Sequence, residues 1–275
     1  MPELPEVEVT RRGIAPHIEG GVLQDFIARR PNLRWPIPPL GNILRGEKLL
    51  RTARRGKYLL LEFAPGWVII HLGMSGHLRV LPNRAEGVPA GVHDHVDFVF
   101  THQVLRLRDP RRFGAVLWHA REMGPIEAHP QLAKLGSEPF DLSFDATTFY
   151  QATRSRHAPI KNVLLAGDVV VGAGNIYASE SLFRARIHPQ TKASRISQAR
   201  YAKLLEEVRA TLAEAIQKGG SSLRDFVGAD GNDGYFQIDC FVYDRAELPC
   251  KVCKTPIKRM VQGQRATFYC PHCQR

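Results

Sequence analysis

A secondary amine and a carboxylate stand side by side at the start of this chain, as Pro2 and Glu3 of Met1-Pro2-Glu3-Leu4-Pro5-Glu6. Removal of Met1 would make the imino group of Pro2 the terminus. Such a pair is a small covalent catalyst: the amine attacks an electrophilic carbon and the acid manages protons. An average α-amino group titrates near ~7.7–8.0, so about a tenth is neutral at pH 7, against less than about a thousandth of a lysine near ~10.4. A secondary amine condenses to an iminium with no N–H to lose. The iminium stays cationic and keeps drawing electrons, which favours elimination from the attached carbon chain. The bland reading of the same residues is a stiff N-terminus leading into a helix, since proline suits a first helical turn.

A second constellation lies at the other end. Cys250-x2-Cys253 and Cys270-x2-Cys273 are separated by 16 residues. Each CxxC pair turns back so that both sulfurs reach one ion, and the intervening residues suit a β-hairpin. Four thiolates close a tetrahedral site with no open position, which predicts one structural Zn2+. The fifth cysteine, Cys240, is left over and reads as a small buried residue. Clustered cysteines without a visible secretion signal indicate metal binding in a reducing compartment, and a cytoplasmic chain is expected. From Cys250 onward there are six Lys/Arg and no Asp/Glu, so the metal module is basic.

The whole chain shares that bias. Its 275 residues carry a net charge of +11, spread along the length, and this points to a folded basic surface facing a polyanion. No apolar run reaches the ~18 residues of a membrane span. Basic residues recur near turns: Arg111 and Arg112 with Phe113 in Asp109-Pro110-Arg111-Arg112-Phe113, and Arg154, Arg156 and Lys161 across a loop-to-helix join. Met74 sits on a glycine-flanked turn, Gly73-Met74-Ser75-Gly76. Met and Phe on turns are commonly minor core residues; the alternative is a wedge pushed into a base stack. Asn175 opens a helix, whose free N–H groups can bind a phosphate.

These residues need elements to hold them. Residues 5–18 predict a helix with Val7, Ile14 and Ile18 on one face, ended by Gly20-Gly21. Strand texture follows from about 22 to 118, with runs at 57–63, 67–71, 95–100 and 105–108, a hairpin signal at Pro65-Gly66 and a loop at 82–92. Residues 136–141 read as a linker. Helical periods then appear at 143–154, 160–166, 175–186 and 198–218, the last capped by Ser197. Residues 219–237 carry five glycines and read as a mobile lid. The expected fold is α+β: an antiparallel β-sandwich or barrel with an N-terminal helix over 1–135, a helical domain over 142–239, and a zinc finger over 240–275.

Taken together the motifs resemble the formamidopyrimidine-DNA glycosylase family. The matching stretches are Met1 to Glu6, Lys57-Tyr58-Leu59-Leu60, His71 to Gly76, His93 to Asp97, Asp109 to Gly114, Gly172 to Glu180, Gln264 to Cys270, and the four cysteines. The resemblance implies a two-layer antiparallel β-sandwich with an N-terminal helix, followed by a helix–two-turn–helix domain and a β-hairpin zinc finger. It implies a bifunctional glycosylase and abasic-site lyase of base excision repair, acting as a monomer near the bacterial nucleoid on double-stranded DNA with oxidised purines or abasic sites. Pro2 would attack C1′ to form a Schiff base, and Glu3 would donate a proton as the sugar opens. Lys57 would assist β-elimination, and Arg265 would grip phosphates and assist δ-elimination. His93, Arg112, Arg154 or Arg156, Lys161 and Asn175 would contact DNA. Met74, Arg111 and Phe113 would fill the hole left by the extruded base, and the 219–237 loop would close over that base. Glu180 would be structural, holding a helix turn.

Two other readings stand beside this one. The endonuclease VIII-like branch shares the chemistry and prefers oxidised pyrimidines; Leu4 and the Met74/Arg111/Phe113 set favour the purine branch. A non-enzymatic zinc-finger protein would bind DNA without cleaving it.

Overall fold

A computed structural model describes residues 2–83, 89–219 and 240–275. Met1, part of the 82–92 loop and nearly all of the 219–237 segment lie outside the described residues. The chain forms two compact units, residues 2–133 and residues 134–217 with 240–275.

The first unit opens on α1 (Leu4–Ile18), with Pro5 in its first turn. Then come β1 (Leu23–Ala28), the short α2 (Leu40–Leu44), β2 (Arg51–Arg55), β3 (Tyr58–Phe63) and β4 (Gly66–His71). β5 (His77–Pro82), β6 (Asp94–Phe100), β7 (Gln103–Arg108) and β8 (Ala115–Ala120) complete it. The strands form two antiparallel four-stranded sheets, ordered β1-β6-β7-β5 and β2-β3-β4-β8. Alternating side chains supply the shared core: Leu59, Leu61 and Phe63 from β3, Val68 and Ile70 from β4, Val96, Phe98 and Phe100 from β6. Val7, Ile14 and Ile18 of α1 are buried in the same cluster, as the helical spacing predicts. Each fully buried side chain of this size contributes about 1.5–3 kcal/mol, so α1 is fixed by its apolar stripe.

Polar contacts fix its rotation. Glu8 accepts hydrogen bonds from Arg11 Nη2 (2.8 Å) and Arg12 Nε (2.7 Å) and pairs with Arg54 of β2 at 3.3 Å. Glu19 Oε1, just past the helix, accepts from both Thr52 N and Thr52 Oγ1 at 2.6 Å.

In the second unit, α3 (Ala146–Ala152), α4 (Ile160–Ala166), α5 (Asn175–Arg184) and α6 (Gln198–Gln217) precede the hairpin of β9 (Lys258–Gln262) and β10 (Arg265–Tyr269). α4 ends at Gly167 in the left-handed region (φ 70°), and two turns later Gly174 caps α5, giving the helix–two-turn–helix. Ser197 caps α6, its hydroxyl accepting from Arg200 N at 3.4 Å. Tyr201, Leu204, Leu205, Val208 and Leu212 are buried along one face of α6. The stretch read as a linker is not free: Gly136 N donates to Gly167 O (2.8 Å) and Ser137 N to Val169 O (3.0 Å). Arg209 of α6 donates to the carbonyls of Pro139, Asp141 and Phe144. Backbone pairing and an arginine clamp therefore dock this stretch into the second unit. No helix among the described residues is long and apolar enough to cross a membrane.

Burial would raise the Glu8 carboxyl, but the hydrogen bonds from Arg11 and Arg12 and the charges of Arg11 and Arg54 outweigh it, leaving it at about 2 instead of 4.5. A carboxylate depressed in the folded state stabilises it above its unfolded pKa, and that contribution disappears as pH falls through the folded one. Glu8→Gln should therefore lower stability by roughly 1–3 kcal/mol at pH 7, discounted for the solvent exposure of Arg12. Urea unfolding should show the wild-type advantage intact above about pH 5 and shrinking towards pH 2; a gap independent of pH would refute the ion-pair account.

Candidate nucleic-acid and catalytic site

The first helical turn holds the amine–carboxylate pair. Glu3 is 1% exposed, and its peptide N–H donates to Glu6 Oε2 at 2.7 Å. Because α1 is embedded in the core, the Pro2–Glu3 peptide cannot swing. Pro2 itself is half-buried. Lys57 lies on the two-residue turn between β2 and β3, behind Gly56 in the left-handed region (φ 57°). A hairpin turn this short fixes the lysine's backbone.

His71, at the end of β4, opens the matching stretch His71–Gly76 and is a further functional candidate, whose own role shows only in its surroundings. Its ring packs on Tyr58 (centroids 4.9 Å apart), and Nδ1 accepts from Gly73 N at 3.1 Å. Burial, then the charges of Lys57 and Arg34, push the imidazole down to about 4. It is neutral at physiological pH, with Nδ1 an acceptor and Nε2 therefore carrying the proton.

The three residues expected as a wedge are brought together by one carboxylate. Asp109 is fully buried. Its Oδ1 accepts from Ser75 Oγ (2.9 Å) and its Oδ2 from Gly114 N (2.8 Å). Ser75 Oγ in turn accepts from Arg111 N at 3.1 Å. Met74 and Arg111–Phe113 thus sit on two turns fastened to the same side chain. The turns also touch directly: a Cβ at Gly73 (φ 66°) would lie 2.4 Å from Phe113 C and Gly114 N, so only glycine fits there. Phe113 is 46% exposed, with the Arg111 guanidinium 5.1 Å from its ring centre. Arg112 holds φ 57°, an unusual conformation for a side-chain-bearing residue.

His93 lies beside this brace, its carbonyl accepting from Asp109 N at 2.9 Å. The adjoining chain is held by Asp94, which accepts from Gly91 N (2.8 Å), and by Arg106, which donates to Pro89 O (2.9 Å).

In the second unit the expected DNA contacts divide. Lys161 is fully buried; its Nζ donates to Thr267 Oγ1 at 2.8 Å and Ala266 O at 3.3 Å. Asn175 Nδ2 donates to the same Ala266 carbonyl at 2.9 Å. Both side chains clamp β10 next to Arg265. The Lys161 ammonium is thus engaged with β10 in the interior of the unit. Of the two arginines left open above, Arg154 is the one turned inward. Its guanidinium donates to the carbonyls of Tyr150, Ser194, Ala193 and Ile196 and stacks on Tyr150 at 3.7 Å. Four carbonyl acceptors use its donors internally. Arg156 pairs with Asp168 at 2.7 Å on the surface, both about two-fifths exposed, a pairing weak enough to exchange for a phosphate. Arg265 is exposed at the start of β10, after the Gly263-Gln264 turn whose residues both have positive φ.

The four cysteines converge. Their sulfurs all lie within 4.8 Å of one another, with Cys253 and Cys270 at 3.4 Å and Cys250 and Cys273 at 4.0 Å. Zinc–sulfur bonds of about 2.3 Å imply tetrahedral edges of about 3.8 Å, so the donor set fits one zinc ion, and with no open position it is structural. Phe183 of α5, Val242, Ile257 and Phe268 pack around Cys250 and Cys270. Glu180 accepts from the N–H groups of Phe241 (2.7 Å), Val242 and Tyr243 (both 2.9 Å), tying the approach to the finger onto α5. Its structural role holds as expected, though the turn it secures is not in its own helix.

A helix-led β-sandwich, a helix–two-turn–helix and a four-cysteine zinc hairpin define a zinc-finger class of DNA-repair glycosylase fold. Three family models match in succession: the formamidopyrimidine-DNA glycosylase N-terminal domain over 1–116, its H2TH domain over 135–227, and the zinc finger found in FPG and IleRS over 247–275. The formamidopyrimidine-DNA glycosylases of Burkholderia multivorans and Burkholderia thailandensis are 61% identical over 277 residues and 59% over 276, covering all of both chains. The crystal structure of MutM (Fpg) from Thermus thermophilus has a TM-score of 0.87 at 36% identity, covering 99% of this chain and 98% of that one. The Lactococcus lactis Fpg complexed with abasic-site DNA has a TM-score of 0.89 at 31% identity over all of both chains. The chain belongs to the formamidopyrimidine-DNA glycosylase family.

Two outcomes test these geometries. Ser75→Ala removes a hydroxyl that bridges a buried carboxylate to Arg111 N. It should lower stability by about 1–2 kcal/mol and speed hydrogen exchange at the Arg111 amide beyond that global change; unchanged relative protection would show that the bridge does not hold the turn. Cys270→Ser should reduce bound zinc from one ion per chain to none and remove a melting transition belonging to the β9–β10 module. Full zinc retention would contradict the four-sulfur site.

Proposed function

We propose that this protein is a bifunctional DNA glycosylase and abasic-site lyase that excises oxidised purines from duplex DNA as a monomer, through a covalent bond from Pro2. The observation that carries the reading is the first turn of α1: Glu3, buried and with its peptide N–H held by the Glu6 carboxylate, directly follows the nitrogen that would attack. Support for the substrate class comes from the Lactococcus lactis protein, whose structures include complexes with abasic-site DNA and Fapy-dG DNA.

The steps follow from the chemistry of a secondary amine. C1′ of a stacked nucleotide is out of reach, so the nucleotide must be extruded, at a cost of a few kcal/mol. Met74, Arg111 and Phe113 offset that cost by occupying the vacated stack. Pro2 nitrogen, freed by removal of Met1, forms a bond to C1′ as the glycosidic bond to the base breaks. Glu3 delivers a proton to the ring oxygen, the sugar opens, and C1′ becomes an iminium carbon. The iminium acidifies C2′–H; loss of that proton expels the 3′ phosphate, and a second elimination expels the 5′ phosphate. Lys57 assists the first elimination, and Arg265 holds the flanking phosphates and assists the second. His93, Arg112, Arg156 and the α5 N-terminus at Asn175 bind backbone phosphates, and the proton on His71 Nε2 gives a further donor. Zinc takes no part in these steps; it folds the hairpin that presents Arg265.

Borohydride added during reaction on an 8-oxoguanine duplex should trap a protein–DNA adduct through Pro2. Glu3→Gln should bind lesion DNA normally and lose base release by about a hundredfold or more. Absence of any adduct would favour a non-enzymatic binding protein. Faster excision of thymine glycol than of 8-oxoguanine would move the chain to the oxidised-pyrimidine branch.

A further inference from the structure

One exposed cation in the first unit has no place in the scheme above. Arg34 sits on the loop between β1 and α2, and that loop is rigid. Leu33 is 8% exposed and belongs to the sandwich core, Leu33 N donates to Trp35 O at 3.0 Å, and Ile37 N donates to Pro31 O at 2.9 Å. Arg34 N donates to Gly114 O at 3.1 Å, one residue from Phe113. Gly114 N is held by Asp109, and the Phe113–Gly114 backbone lies against Gly73, whose N–H is bonded to His71. A short chain of contacts therefore runs from Arg34 through the wedge turns to the imidazole beside Lys57. Burial does most to lower the His71 imidazole, with the charges of Lys57 and then Arg34 adding to it.

The guanidinium is presented for use. Its carbon lies 4.6 Å from the centre of the Trp35 ring. It is exposed and, among the described residues, makes no ion pair or side-chain hydrogen bond. Stacking on an indole holds one face of the fork and leaves the N–H edge directed outward, which suits two parallel hydrogen bonds to a phosphate. A lysine could not use the same platform, because its ammonium is a point charge.

Resting on the DNA-binding reading above, we infer that Arg34, stacked on Trp35 and bonded through its peptide N–H to Gly114, grips a DNA backbone phosphate on the same face as Lys57 and His71. It is a specificity-supporting residue that joins phosphate binding to the position of the Phe113 turn. An anion held there would engage the loop fastened to the wedge backbone, so binding of the strand and placement of Phe113 would be linked.

The test uses full-length protein and a duplex containing a tetrahydrofuran abasic analogue, with affinity measured against salt. Arg34→Ala should weaken binding about tenfold near 0.1 M salt and flatten the slope of log K against log[salt] by about 1, the loss of one phosphate contact. Arg34→Lys should keep the slope and lose part of the affinity. Trp35→Leu should weaken binding with the slope retained, since it removes the platform and not the charge. Melting temperature and zinc content should stay at wild-type values; an arginine with a merely structural role would move the melting temperature and leave the slope alone. Wild-type affinity and slope in Arg34→Ala would overturn the inference. Borohydride trapping by the wild-type protein, run in parallel, separates the two ideas: loss of trapping defeats the catalytic reading, whereas intact trapping with an unchanged Arg34→Ala slope defeats only the assignment of Arg34.

Discussion

A carboxylate buried against backbone N–H groups is the interaction on which this structure depends most. Glu6 takes the Glu3 amide, Asp94 the Gly91 amide, Asp109 the Gly114 amide, and Glu180 three successive amides at 241–243. These are charge-assisted bonds, stronger than neutral ones, and each fixes a turn or chain end that no sheet or helix ladder satisfies. In a chain with a net charge of +11, many acids are drawn inward to tie the backbone, and much of the positive charge is left to the surface. Solubility alone would not require that division. It gives a rigid frame whose outward field is positive, which is the arrangement a polyanion partner selects.

The parts of the fold that were legible in the sequence follow from burial. The four strands read from apolar runs are β3, β4, β6 and β7, and these are the two central strands of each sheet. The four that gave no clear signal are β1, β2, β5 and β8, the sheet edges. A central strand is flanked on both sides and packed on the core, so its residues are apolar. An edge strand such as Arg51–Arg55 carries charges that discourage pairing with another chain, and those charges hide the alternation. Helices are legible because their periods come from one buried face, as with Tyr201, Leu204, Leu205, Val208 and Leu212.

The site was legible to a different depth. The cysteine spacing encodes its own geometry, since two CxxC turns can reach a single ion with little help from the rest of the chain. Cations are ambiguous by comparison. Arg154 and Lys161 have the same residue types as a phosphate contact, yet their partners are main-chain carbonyls and one hydroxyl. A carbonyl acceptor leaves no mark on the sequence, because every residue has one. Asp109 and Ser75 were invisible for a related reason. Their importance is the meeting of two turns 34 residues apart, and that meeting exists only once the sheets are formed.

The division between braced backbone and free side chain bears on how a protein could open a duplex. Unstacking a nucleotide opposes binding by a few kcal/mol, so whatever fills the gap must do so without a large ordering loss of its own. At the Met74 and Phe113 turns the main chain is already fixed by Asp109, Ser75 and the glycine contact, while Phe113 remains 46% exposed. Burying that exposed ring in a base stack is favourable, and only a few side-chain torsions remain to be fixed. A flexible loop bearing the same side chains would lose backbone entropy of about 1–2 kcal/mol for each residue ordered, enough over five or six residues to cancel the gain. The buried carboxylate therefore does for these two turns what the embedded first turn of α1 does for the Pro2–Glu3 peptide: the ordering is complete before any ligand arrives.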